Sequence, residues 1–146
     1  MNDCAELQGI FITDELAHRH AQPPDYKREK DALRELLGQM ASEPEYVLPR
    51  FVSLAMELTG GSSAGISLLE PEPAPGHFRW RYLHGVLAPF ENATTPRNDS
   101  PCGVTLDRSA PVLVEHPERV YDWIAKALRS RSLAPLTHLT QPVRIR

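Results

Sequence analysis

Phe78-Arg79-Trp80-Arg81-Tyr82-Leu83-His84 alternates ring-bearing side chains with arginines and a leucine. Successive side chains of a strand point to opposite faces, so this period of two predicts a strand with Phe78, Trp80, Tyr82 and His84 on one side. Upstream, Ala64-Gly65-Ile66-Ser67-Leu68-Leu69 has the apolar character of a second strand. Between them, Glu70-Pro71-Glu72-Pro73-Ala74-Pro75-Gly76 cannot be regular structure, because proline lacks the ladder donor, and it reads as a hairpin loop. Strand, turn and strand imply an antiparallel pair.

Two helices precede the pair. From Asp25 to Ala41, with Asp25 as N-cap, Leu33, Leu36, Leu37 and Met40 recur at three- and four-residue steps, while Lys27, Arg28, Glu29, Lys30, Glu35 and Gln39 stay polar. That stripe packs on the domain or pairs with a copy of itself. Ser42-Glu43-Pro44-Glu45 has the spacing of a capping box, which starts a second helix reaching Thr59. Its apolar face is Leu48, Phe51, Val52, Ala55 and Leu58, and Gly60-Gly61 ends it. Pro49 requires either a kink or a later start of the regular helix.

Beyond the pair, residues 87–100 read as a long irregular connection, of the length that is often functional. Cys102 to Arg108 follows as a short helical or turn segment. Pro111-Val112-Leu113-Val114-Glu115 is a third strand candidate, and 117–130 reads as a helix with Val120, Trp123, Ile124 and Leu128 apolar. Residues 1–24 form a loosely attached extension. Residues 25–146 then constitute an α+β domain with an antiparallel sheet.

Composition narrows the function. The chain has 146 residues, 41% of them hydrophobic and a net charge of −3, which fits one soluble domain with a real core. Its 16 basic residues are scattered, so no nucleic-acid surface is expected. No apolar run approaches the roughly 20 residues of a membrane span, and the start lacks the order of a signal peptide, which implies a cytoplasmic protein. Two cysteines, Cys4 and Cys102, cannot make a disulfide scaffold or a four-thiolate zinc site. His18 and His20, His77 and His84 lack the spacing of a metal site. No nucleophile-elbow pattern is present, and no cofactor is indicated.

Several motifs together resemble one family. Ser63-Ala64-Gly65-Ile66-Ser67-Leu68-Leu69-Glu70, Phe78-Arg79-Trp80 and Thr94-Thr95-Pro96-Arg97 look like the GAF domains at the front of bacterial sensor histidine kinases. Ser100-Pro101-Cys102-Gly103-Val104-Thr105-Leu106-Asp107-Arg108, Ala110-Pro111-Val112-Leu113 and His116-Pro117-Glu118-Arg119 extend the likeness to about residues 25–136. The resemblance implies an antiparallel sheet flanked by helices and a pocket between the sheet and its connections. It also implies a non-catalytic signalling module that binds a small molecule or dimerises, and relays a change to a histidine kinase or other output. The family pattern runs on through two further strands and an exit helix, so the likeness is to a C-terminally truncated GAF domain, with a sheet edge open to self-association.

The expected ligand contacts are Trp80, Tyr82 and His84 on the strand, and Arg97, Asp99, Ser100 and Cys102 in and after the long connection. The aromatic stripe serves equally as core, and Arg97 to Ser100 serves equally as turn chemistry. Cys102, near Arg97 and Arg108, offers a thiol-based redox sensor or reductase as an alternative, for which only the remote Cys4 is available as a partner. Bilin-binding GAF domains place a histidine directly after their cysteine, whereas Gly103 follows here. An interaction-only module, dimerising through Leu33, Leu37 and Met40, is the other alternative.

Overall fold

The computed structural model describes residues 9–20, 23–71 and 76–130. These residues form an α+β structure with four α-helices and a three-stranded antiparallel sheet. The helices are α1 (Tyr26–Ser42), α2 (Val47–Thr59), α3 (Pro101–Arg108) and α4 (Asp122–Ser130). The strands, β1 (Ser63–Glu70), β2 (His77–Gly85) and β3 (Thr94–Pro96), lie in the order β1-β2-β3. No described helix is long and apolar enough to cross a membrane.

The chain forms two compact units, one of residues 20, 23–68 and 79–94, the other of residues 9–19, 69–71, 76–78 and 95–130. In the first unit, α1 begins where expected. The Asp25 carboxylate accepts from the Arg28 amide at 3.0 Å, satisfying one of the donors a helix start leaves open. The capping box is not formed. Ser42 is the last residue of α1, and its hydroxyl donates to the Gly38 carbonyl at 3.2 Å. A 3₁₀ turn, Pro44–Tyr46, intervenes before α2. Pro49 therefore sits in the first turn of α2, where its missing N–H has no helical acceptor to lose. Gly60 ends α2 in the left-handed conformation, φ 69°, its amide donating to the Met56 carbonyl at 2.8 Å.

α1 and α2 pack against each other, with Ala32, Val52 and Leu54 buried. The predicted apolar face of α2 is only partly right. Val52 is buried, whereas Leu48, Phe51 and Leu58 are exposed. Polar clamps on the inner side of the pair fix how α1 is turned. The Arg28 guanidinium donates to the Glu57 carbonyl at 3.2 Å, and Arg50 binds the carboxylates of both Glu35 and Glu57.

The second unit has its own core of Ile10, Tyr121 and Ile124, with Phe11, Val114, Val120, Trp123 and Leu128 packed on it. Two expectations fail here. Pro111–Glu115 is not a sheet strand. It makes an isolated antiparallel bridge, Phe11 to Val114, with Ile12 donating to Leu113 and Glu115 to Ile10. The same contacts show that residues 10–13 are built into the core rather than loosely attached. The predicted irregular connection also contains order: β3 and two 3₁₀ turns, Ala88–Phe90 and Arg97–Asp99. The predicted last helix is shorter than expected, because residues 117–119 form a 3₁₀ turn before α4. Four residues of the predicted hairpin loop, 72–75, lie outside the described residues, as do Cys4 and 131–146.

Candidate functional site

The expected site residues divide between the two units. Trp80, Tyr82 and His84 belong to the first, and Arg97, Asp99, Ser100 and Cys102 to the second.

In the second unit the four are drawn together by the start of α3, and three of them have structural work there. Ser100, buried, is the N-cap, and its Oγ accepts from the Gly103 amide at 3.2 Å. Arg97 pairs with Asp107 and donates to the Asn98 side-chain oxygen at 3.0 Å. The Asp99 carbonyl accepts from the Trp123 indole N–H at 2.8 Å. Cys102 is half-buried at the first turn of α3. Burial, together with Asp99 and Cys102, pushes the Tyr121 phenol up to about 12. The arrangement reads as a packed helix start. Gly103 is required by it, since a Cβ there would stand 1.9 Å from the Arg97 carbonyl oxygen.

In the first unit, Trp80 and Ala93 pair through the Trp80 amide, 2.9 Å from the Ala93 carbonyl. Tyr82 lies within β2 but departs from extended backbone. Its φ is 56°, a left-handed value that costs a non-glycine residue about 1–2 kcal/mol. Glu91 holds it there. One carboxylate oxygen accepts from the Tyr82 amide at 2.9 Å, and the other accepts from the Leu83 amide at 2.7 Å. Two consecutive amides aimed at one carboxylate form a small anion-binding concavity that the chain fills itself. A left-handed residue within a strand interrupts the two-residue alternation. The stripe of Phe78, Trp80, Tyr82 and His84 is therefore not one continuous face, and of the four only Phe78 is buried.

Past this interruption, His84 lines an open cleft of about 250 Å³ with Gln39, Tyr46, Pro49, Arg50 and Ser53. This volume lies below the roughly 300–1,000 Å³ of sites for drug-sized ligands, so the cleft suits a smaller molecule. Its polar groups differ in availability. Arg50 is held by Glu35 and Glu57, and the Ser53 hydroxyl donates to the Pro49 carbonyl at 3.3 Å. The Gln39 side-chain oxygen is buried and accepts no hydrogen bond, the kind of orphan acceptor that a donor on a ligand would satisfy. Among the described residues, no group of three His, Cys, Asp or Glu side chains is placed to hold a metal.

Neither a family profile, nor a curated protein, nor a solved structure matches this chain. The lining residues Gln39, Tyr46, Arg50 and Ser53 carry no motif that would have marked them. They meet only because α1 and α2 fold back on each other, and the nearest signal in the sequence is the length of the two amphipathic helices.

The Glu35–Arg50 pair beside the cleft is pH-dependent. Hydrogen bonds from Arg50 lower the Glu35 pKa below its ordinary value, while Arg50 stays charged throughout. A lowered carboxylate stabilises the fold above its ordinary pKa, and that stability is lost as pH falls through the lowered value. Thermal melts of wild type and Glu35→Gln should differ at neutral pH and converge as the pH is lowered into and beneath the carboxylate range. A difference that persists in acid would mean that Glu35 acts through packing instead.

Proposed function

We propose that this chain is a non-catalytic sensory module of the GAF-like kind that its sequence resembles. The observation that carries the reading is the cleft lined by Gln39, Tyr46 and His84, beside which the buried Gln39 oxygen has no hydrogen-bond partner. A small molecule with at least one hydrogen-bond donor satisfies Gln39 and rests against the two rings. The cleft has no activated nucleophile beside a base, which suits binding rather than turnover. Cys102 belongs to the other unit and is not among the residues lining the cleft.

Signal transfer follows from the same placement. Gln39 is on the inner side of α1, so an occupant that draws on its side chain favours one packing of α1 on α2 over another, and binding shifts the balance between them. The helix then presents the change to a signalling output, of which a histidine kinase is the kind implied by the resemblance.

Native mass spectrometry of the purified full chain tests this. A non-covalent added mass is expected on the wild type, and its fraction should fall about tenfold in Gln39→Ala or His84→Ala, in line with the loss of one hydrogen bond to a buried group. Added mass retained equally by both variants would place the ligand elsewhere. A chain that carries none, and gains none against a metabolite extract, would overturn the sensory reading.

A further inference from the structure

We infer that the outer side of α1 is the interface between two copies of this chain, packed parallel and in register. This rests on the exposed seam and its flanking charges, and does not require an occupant in the cleft.

The seam is Tyr26, Leu33, Leu37 and Met40, whose exposures are 66%, 62%, 65% and 59%. Steps of seven, four and three place the four on one line of the helix, the a and d positions of a heptad. They cannot simply roll inward. Ala32 is buried on the inner side, and Arg28 and Glu35 are tied there to Glu57 and Arg50. Large apolar side chains at regular helical spacing, held outward by clamps on the opposite side, are what one half of a helical interface presents.

The charges beside the seam select the occupant and its direction. Glu29 and Arg34 flank it on opposite sides, at the g and e positions, and both are exposed. Neither is in an ion pair among the described residues. In a parallel pair, the g residue of one helix meets the e residue five positions on in the other. Glu29 then faces Arg34 of the second copy, and the two-fold axis makes the contact twice. The antiparallel arrangement that keeps Leu33 opposite Leu37 of the second copy sets Arg34 against Arg34 and leaves Glu29 facing the end of the second helix, with no opposite charges paired at the flanks. Lys30 falls on the seam at an a position. Facing itself in the parallel pair it weakens association, its long stem carries the ammonium outward, and a lone polar residue there disfavours shifted registers. Two attractive pairs with one exposed lysine contact outweigh an arrangement that faces Arg34 with Arg34 and pairs no opposite charges.

The test is sedimentation equilibrium of the full chain at low salt, with helical content checked by circular dichroism. Wild type should dimerise, and high salt should weaken the dimer. Glu29→Arg and Arg34→Glu should each raise the dissociation constant about tenfold, and the combined exchange should restore it to within about threefold of wild type. Glu29→Arg discriminates, because in the antiparallel pair Glu29 meets no arginine of the second copy and its exchange should leave the dimer unweakened. An unweakened Glu29→Arg dimer, or no rescue in the combined variant, overturns the parallel register while leaving a dimer. For register, oxidised Leu37→Cys should yield a 37–37 cross-link by peptide mapping, and its absence counts against in-register pairing. A wild-type chain that is monomeric throughout the micromolar range overturns the interface itself, and the cleft reading is untouched by that result.

Discussion

Replacing Tyr121 with alanine should remove about 3–5 kcal/mol, the range for deleting a large buried aromatic ring, and should unfold the unit that contains α4 before the rest of the chain. Tyr121 is 2% exposed in a cluster with Ile10 and Ile124, against which Phe11, Val114 and Trp123 pack, so removing its ring opens a cavity in that unit's core. Hydrogen exchange gives the local readout. Amides of Ile12 and Glu115, which donate to Leu113 and Ile10, should lose protection, as should α4. Amides of α1 should keep theirs. Tyr121→Phe separates packing from the hydroxyl, and it should cost far less, since the ring is retained. Protection at Ile12 and Glu115 that survives Tyr121→Ala would mean that the bridge between Phe11 and Val114 stands without this core.

The second large effect is expected at Gly85, where β2 ends. Two penalties coincide there. The φ of 68° is left-handed, and a Cβ would lie 1.9 Å from the Ser62 carbonyl oxygen. The conformation costs a residue with a side chain about 1–2 kcal/mol. Forcing an atom against packed backbone costs about 1–3 kcal/mol more. Gly85→Ala should therefore lose roughly 2–5 kcal/mol in urea titrations, by the sum of those two effects. Gly60→Ala provides the control. Gly60 has nearly the same φ, 69°, but a Cβ there meets nothing within 4 Å, so only the conformational part should appear. Equal losses at both positions would show that the Ser62 carbonyl yields freely, and would remove close approach as the reason for glycine at position 85. Because His84 precedes Gly85, a shift of this backbone should also weaken whatever occupies the cleft.

The individual elements were largely legible in the sequence, because their causes are local. Asp25 caps α1, Gly60 ends α2, and the alternation through Phe78 and Trp80 marks β2, each from residues within a few positions of one another. The errors share a different cause. The Ser42 hydroxyl had two acceptable partners, and the Gly38 carbonyl behind it won over the turn ahead. Val112, Leu113 and Val114 look like a strand, yet Val114 bridges to Phe11, about a hundred residues away, and among the described residues that is the segment's one bridge. Tyr121 carries no signal in the sequence, because it sits between a 3₁₀ turn and α4, where no helical period points at it.

By itself, the sequence determined a chain of alternating amphipathic helices and short strands, and it placed Leu33, Leu37 and Met40 on one line of a helix. It could not say which side of that helix is covered, since apolar spacing is the same for a core face and for an interface. Tertiary structure decided that question, by turning Ala32 inward and clamping Arg28 and Glu35 against α2. It likewise decided the site. Glu91 reaches back to two amides of β2 and breaks the aromatic stripe, and Gln39 and His84 line one cleft. Such juxtapositions depend on where the backbone returns in space, and spacing along the chain carries no record of that.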